Sequence, residues 1–218
     1  MRSPRHPRRK GGRRLADDER LLDHLDETLR NEKARRLLFI ARYSLIPKLN
    51  LALLDLLLRR QSRQGIYLSI DRPHKFMDLL LRKRDIPRQK LTYVDLVTKG
   101  TVGGDRVGDV KALLSVGGFF WLKLMTNTFE QVFDGMSGNQ TQVKLEDASF
   151  LLLDNLSVMP AYNSESSIRE FFQELRGLLE RYERLQVFLI THGDIHPTML
   201  SILKEFSDRV VKLEGAMG

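Results

Sequence analysis

The chain has 218 residues, 42% of them hydrophobic, no cysteine and a formal net charge of +8. That length suits one α/β domain with a sizeable core and leaves too little chain for two. Without cysteine there are no disulfides, no thiolate chemistry and no Cys-ligated zinc or iron–sulfur centre, which fits a cytoplasmic protein.

The charge is unevenly placed. Residues 1–14 contain seven Arg or Lys and no acid, so the remainder of the chain carries only +1. This stretch is too polar and too rich in Pro and Gly to pack, and it is expected to be a disordered tail. Two readings of it stand. Arg5, Arg8, Arg9, Lys10, Arg13 and Arg14 give it an electrostatic grip on nucleic acid or another anionic surface, or they merely solvate a terminus. It holds no aromatic residue on which a base could stack. No apolar segment follows it closely enough to make a signal peptide.

Leu15, Leu21, Leu22, Leu25 and Leu29 recur at helical spacing and predict a leading amphipathic helix over 15–32, with Asp17, Asp18 and Glu19 in its opening turn. A first strand is predicted at 36–41 and a strongly apolar helix at 46–63, with Pro47 in its first turn. That helix is too short for a bilayer and carries Lys48, Asn50 and Asp55. Gly65 opens a second strand that runs to Asp71, and Pro73 marks its exit into a short helix at 74–84. The third strand spans 91–96 and includes Asp95.

Residues 99–118 are glycine-rich and predict an irregular insertion with a short helix near 109–115, followed by a helix at 119–133 and a loop at 135–142. The fourth strand, 149–154, ends in Asp154. A long helix follows at 164–184, where Ser167 with Glu170 matches a capping box and Ser164 serves equally well as the start. A fifth strand at 186–191 ends in Thr191 and His192, and a helix at 197–206 precedes a last strand at 209–213. Short apolar runs separated by helices predict a three-layer α/β/α sandwich around a mostly parallel sheet, one domain over 15–218.

Ligands of such sheets bind beyond the carboxyl ends of the strands, so the residues there are the candidates for chemistry. A buried strand that ends in a carboxylate, as Phe150–Asp154 does, can hold a water of hydrated magnesium, or the carboxylate can cap the next turn. His192, Asp194 and His196 offer three potential metal ligands, but ligands two apart share a face only in extended chain, and Gly193 and Pro197 favour a turn. The glycine pairs 103–104 and 117–118 do not sit between a strand and a helix as a phosphate loop requires. Nothing resembles G-x-S-x-G.

Asp154-Asn155-Leu156-Ser157, the helix after it, the strand ending in Thr191 and the closing Ser207-Asp208-Arg209-Val210-Val211-Lys212-Leu213 together resemble the second half of the RecA/KaiC-like ATPase core. Gly65 to Pro73 looks like that family's second strand. The resemblance covers roughly residues 35–215. It implies ATP or ADP with magnesium, Lys48 and Ser44 at the phosphates, Asp154 holding the metal through water, Asp71 polarising the attacking water, and Thr191 at a sensor position. It also implies self-association or pairing with an active ATPase relative.

The departures are as informative. Where the family has G-x-x-x-x-G-K-[ST], this chain has Arg42 and Pro47 at the glycines and Leu49 at the hydroxyl. Arg42 resists positive φ, and Pro47 has no N–H to donate. Arg72 replaces the second acid beside Asp71. The expected function is therefore a catalytically degenerate RecA/KaiC-like regulatory or assembly module that retains at most weak nucleotide or anion binding. The alternatives are an ATPase with an unorthodox phosphate loop and a nucleic-acid-binding accessory that uses the tail.

Overall fold

The computed structural model describes residues 11–30, 32–95, 106–107, 110–113 and 146–213. In chain order its elements are α1 (Gly11–Leu29), β1 (Arg36–Ala41), α2 (Ile46–Asp55), β2 (Gly65–Ser69), α3 (His74–Lys83), β3 (Leu91–Asp95), β4 (Arg106–Val107) and β5 (Val110–Leu113). They continue with β6 (Phe150–Leu153), α4 (Glu165–Arg181), β7 (Gln186–His192), α5 (Pro197–Phe206) and β8 (Arg209–Lys212). A 3-10 turn, Tyr43–Leu45, leads into α2, and a π turn, Leu56–Arg60, prolongs it.

The strands form one sheet in the order β4-β5-β3-β2-β6-β7-β1-β8. Every neighbouring pair is parallel except β4 with β5. Successive side chains alternate between faces, and both faces are apolar, as a sheet covered on two sides requires. Leu37, Phe39, Tyr67, Phe150, Leu152 and Phe188 pack under α1, α2 and α3. Leu38, Ile40, Ile66, Leu151, Leu153 and Leu189 pack under α4 and α5. The three-layer α/β/α sandwich with a mostly parallel sheet is thus the observed architecture.

Two expectations change. Helix α1 begins at Gly11, so Arg13 and Arg14 are helical and the acids at 17–19 lie past its first turn, which carries no acid. In the glycine-rich insertion, a strand pair replaces the helix expected near 109–115. Val107 and Val110 flank Gly108-Asp109, and β-branched residues around such a dipeptide favour strands over a helix. The tail residues Arg5, Arg8, Arg9 and Lys10, together with the predicted helix at 119–133 and loop at 135–142, lie outside the described residues.

Several ends are set by side chains. Ser164 caps α4, its Oγ accepting the Ser167 N–H at 3.2 Å, which selects Ser164 over Ser167 as the start. Gly65 faces Phe150 across the β2–β6 pair, where a Cβ would stand 2.5 Å from the Phe150 carbonyl oxygen. At the amino edge of the sheet, Asp208 Oδ2 accepts the N–H groups of Arg35 (3.1 Å) and Arg36 (2.9 Å), while its Oδ1 accepts from the Arg36 guanidinium. Arg63 donates to Ser149 Oγ (3.2 Å) and Gln186 Oε1 (2.9 Å), with its guanidinium carbon 5.7 Å from the ring centres of Phe150 and Phe188. Burial lowers the Arg63 pKa to about 10.

Candidate functional site

The helices that leave β1 and β2 cover one face, and those that leave β6 and β7 cover the other. Outgoing connections therefore diverge at two neighbouring pairs, β2 with β6 and β7 with β1. Such divergence opens a crevice at the carboxyl ends of the strands.

At the first crevice Asp154 stands one residue past β6 and is 3% exposed. Its Oδ1 accepts three backbone N–H groups, from Ile70 (2.8 Å), Asp71 (3.3 Å) and Asn155 (2.7 Å). Its Oδ2 accepts from the Tyr67 hydroxyl at 3.4 Å. The Asp154 carbonyl accepts from Asn50 Nδ2 at 2.9 Å, and that amide also donates to the Ile46 carbonyl at 3.2 Å. Burial pushes the Asp154 carboxyl up to about 7, overcoming the opposing pull of the N–H groups, and the nearby Asp71 charge adds to the rise. Tyr67 is pushed up as well, by burial first and then by the Asp154 charge.

The Asp71 carboxylate accepts from Asn155 Nδ2 at 3.0 Å and lies 3.6 Å from Arg72 Nε. The hollow bounded by Pro47, Asn50, Asp71, Arg72 and Asp154 has about 10 Å3 of free volume, room for about one water.

The second crevice is built differently. Thr191 is fully buried, and its Oγ1 lies 2.9 Å from Ser157 Oγ, which also accepts the His192 N–H at 3.0 Å. The His192 ring meets the edge of the exposed Tyr43 ring, centres 5.8 Å apart. Ser44 is exposed in the Tyr43–Leu45 turn. His196 caps α5, and among the described residues no three His, Cys, Asp or Glu side chains gather as a metal site.

Lys48 goes elsewhere. It points toward α1 and pairs with Asp18 at 3.6 Å, beside a groove of about 230 Å3 floored by Leu21, Leu22 and Ala52. The structure therefore brings Asp71 and Asp154 together, ties Thr191 to Ser157, and leaves Lys48 on the outer side of α2. Between β1 and α2 the chain passes from extended Arg42 straight into a helical turn, with the Leu45 N–H donating to the Arg42 carbonyl at 2.8 Å.

Magnesium with a nucleotide, the group the fold implies, does not fit these described residues. One Asp154 oxygen is taken up by the N–H groups of Ile70, Asp71 and Asn155, the hollow beside it has room for about one water, and no glycine cradle faces it among the described residues. Asn50 and Asn155 are the residues that sequence reasoning passed over. Asn50 lies on the apolar stripe of Ile46, Leu49 and Leu53, and a polar residue on a buried stripe signals a buried hydrogen bond.

The strand order, the two crevices and the alternating helices define a three-layer α/β/α fold with a mostly parallel sheet. Among solved structures the chain is similar to the KaiC-like protein PH0186 of the hyperthermophilic archaeon Pyrococcus horikoshii, with a TM-score of 0.53 and 11% identity over 81% of this chain and 69% of that one. An uncharacterized Pyrococcus horikoshii protein, PH0321, solved in complex with an unknown peptide, gives a TM-score of 0.53 and 15% identity over 87% of this chain and 82% of that one. No protein-family profile and no curated protein sequence matches the chain. No helix among the described residues is long and apolar enough to cross a membrane.

Proposed function

We propose that the chain is a RecA/KaiC-like domain that works by binding and not by turnover, as a regulatory or assembly module. The observation that carries this reading is the use of Asp154. The carboxylate in the position where a nucleotide enzyme would hold hydrated magnesium instead accepts the N–H groups of Ile70, Asp71 and Asn155. A metal site needs oxygen lone pairs directed at the ion or its waters, and here one oxygen is saturated and the other lies against Tyr67. The direct passage from Arg42 into helix supports the same reading, since it presents no glycine turn that could wrap phosphate. We take the protein to be cytoplasmic and its partner to be a protein.

Calorimetry of the full chain with ATP, ADP and magnesium, paired with a phosphate-release assay, tests this. The expected result is no turnover and no magnesium-dependent heat. Magnesium-dependent turnover that disappears in Lys48→Ala and Asp154→Ala would overturn the reading in favour of an unorthodox ATPase.

A further inference from the structure

The outer side of α3 faces away from both crevices except at Phe76, which also borders the hollow beside Asp154. Lys75, Phe76, Leu79, Arg82 and Lys83 are exposed there, while His74, Met77 and Leu81 on the inner side are buried. Phe76 is 38% and Leu79 47% exposed. Spacings of three and four place Phe76, Leu79 and Lys83 on one stripe, with Lys75 beside its start. The Arg72 guanidinium lies 5.2 Å from the centre of the Phe76 ring. An apolar pair is thus bracketed by cations at both ends.

Asp78 is the only acid in α3, and Arg82 (3.1 Å) and Arg88 (2.9 Å) occupy it. Cations in the last turn suit the helix dipole, which accounts for Arg82 and Lys83. Lys75 lies in the first turn, where a cation opposes the dipole, so helix stability does not explain it.

We propose that this face of α3 docks an acidic segment of a partner protein, with an apolar anchor seated on Phe76 and Leu79. The proposal rests on the reading of the chain as an assembly module and names its partner's chemistry. Charge complementarity selects that occupant. The chain's own residues 1–14 carry seven cations and no acid, and residues 114–145 carry two lysines against two acids, so neither complements the face. A helix that lies on a bilayer needs its continuous apolar face free, and the apolar face of α3 is packed in the core. Single-stranded nucleic acid needs a series of stacking rings, and this helix offers one ring beside an aliphatic side chain.

The experiment uses the full chain without nucleotide and three labelled probes: a short peptide alternating Glu with Leu, an oligothymidylate, and phosphatidylcholine vesicles containing phosphatidylserine. The peptide is expected to bind. Phe76→Ala with Leu79→Ala is expected to weaken it on the order of tenfold, as loss of buried anchors does, and Lys75→Glu with Lys83→Glu by a similar factor. All four positions are exposed, so the fold tolerates both pairs. Absence of peptide binding, binding unchanged by both pairs, or the same substitutions abolishing binding to the oligonucleotide or the vesicles would each overturn the proposal. ATP turnover with peptide binding intact sinks the assembly-module reading of the crevice instead, so the two failures are separable.

Discussion

Two aspartates do the same topological task at opposite edges of the sheet. Asp208 accepts the N–H groups of Arg35 and Arg36 at the entry to β1, and Asp154 accepts those of Ile70 and Asp71 at the exit from β2. Their surroundings differ completely. Asp208 is partly exposed beside the Arg36 guanidinium, whose hydrogen bond holds its carboxyl below the usual range. Asp154 is buried with no cation paired to it among the described residues, and desolvation drives its carboxyl up to about 7. The amino edge is therefore tied by charges that keep their ionised form, and the carboxyl edge by a carboxylate that ionises at a cost. On the function proposed above, the Asp154 end of the carboxyl edge serves as a structural clasp.

The largest expected effect comes from emptying the clasp. Asp154→Ala leaves three N–H groups without their acceptor, two of them buried, and is expected to cost about 3 kcal/mol or more in urea denaturation. Asp154→Asn keeps the accepting oxygen and should cost about 1 kcal/mol or less. Equal losses in the two variants would show that the backbone bonds do not matter. Gly65→Ala drives a methyl into the Phe150 backbone, with an expected loss of about 3 kcal/mol. At the amino edge, Arg63→Ala removes the ties to Ser149 and Gln186 and is expected to cost about 2 kcal/mol. Lysine there should recover little, because it lacks the planar fork.

The pH dependence separates the edges by sign. The raised Asp154 pKa means the folded state binds the extra proton, so this contribution is full below the unfolded value of 3.8 and is lost as pH rises through about 7. Stability should therefore fall by on the order of 2 kcal/mol between about pH 5 and about pH 8, and Asp154→Asn should lose most of that slope. Asp208, with its lowered pKa, contributes above the unfolded value of 3.8 and is lost as pH falls through its folded value. A wild-type slope that survives Asp154→Asn would place the titration elsewhere. The smallest effect is expected for Lys48→Ala, within about 0.5 kcal/mol, because it breaks only an exposed ion pair.

Much of this was legible in the chain itself. The apolar runs 36–41, 65–70, 91–95, 150–153 and 186–191 announced the parallel sheet, since a strand buried on both faces has no polar side to show. Arg42 and Pro47 argued in the same local terms against a glycine turn at the β1–α2 junction, because φ restriction and a missing N–H are properties of single residues. The edge position of Asp154 followed from the same pattern. What Asp154 does there did not, because its hydrogen-bond partners Ile70 and Asp71 are more than eighty residues away along the chain.

The direction of Lys48 belonged to tertiary structure as well. It lies two positions before Asn50, about 200° around a helix, and the packing of α1 decides that Asn50 turns inward to Asp154 while Lys48 turns outward to Asp18. Sequence by itself determined the layers and the sheet, which depend on local backbone preference and apolar periodicity. Tertiary structure alone decided which partners Asp154 and Thr191 meet at the carboxyl edge, because burial and hydrogen-bond satisfaction depend on residues that only folding brings together.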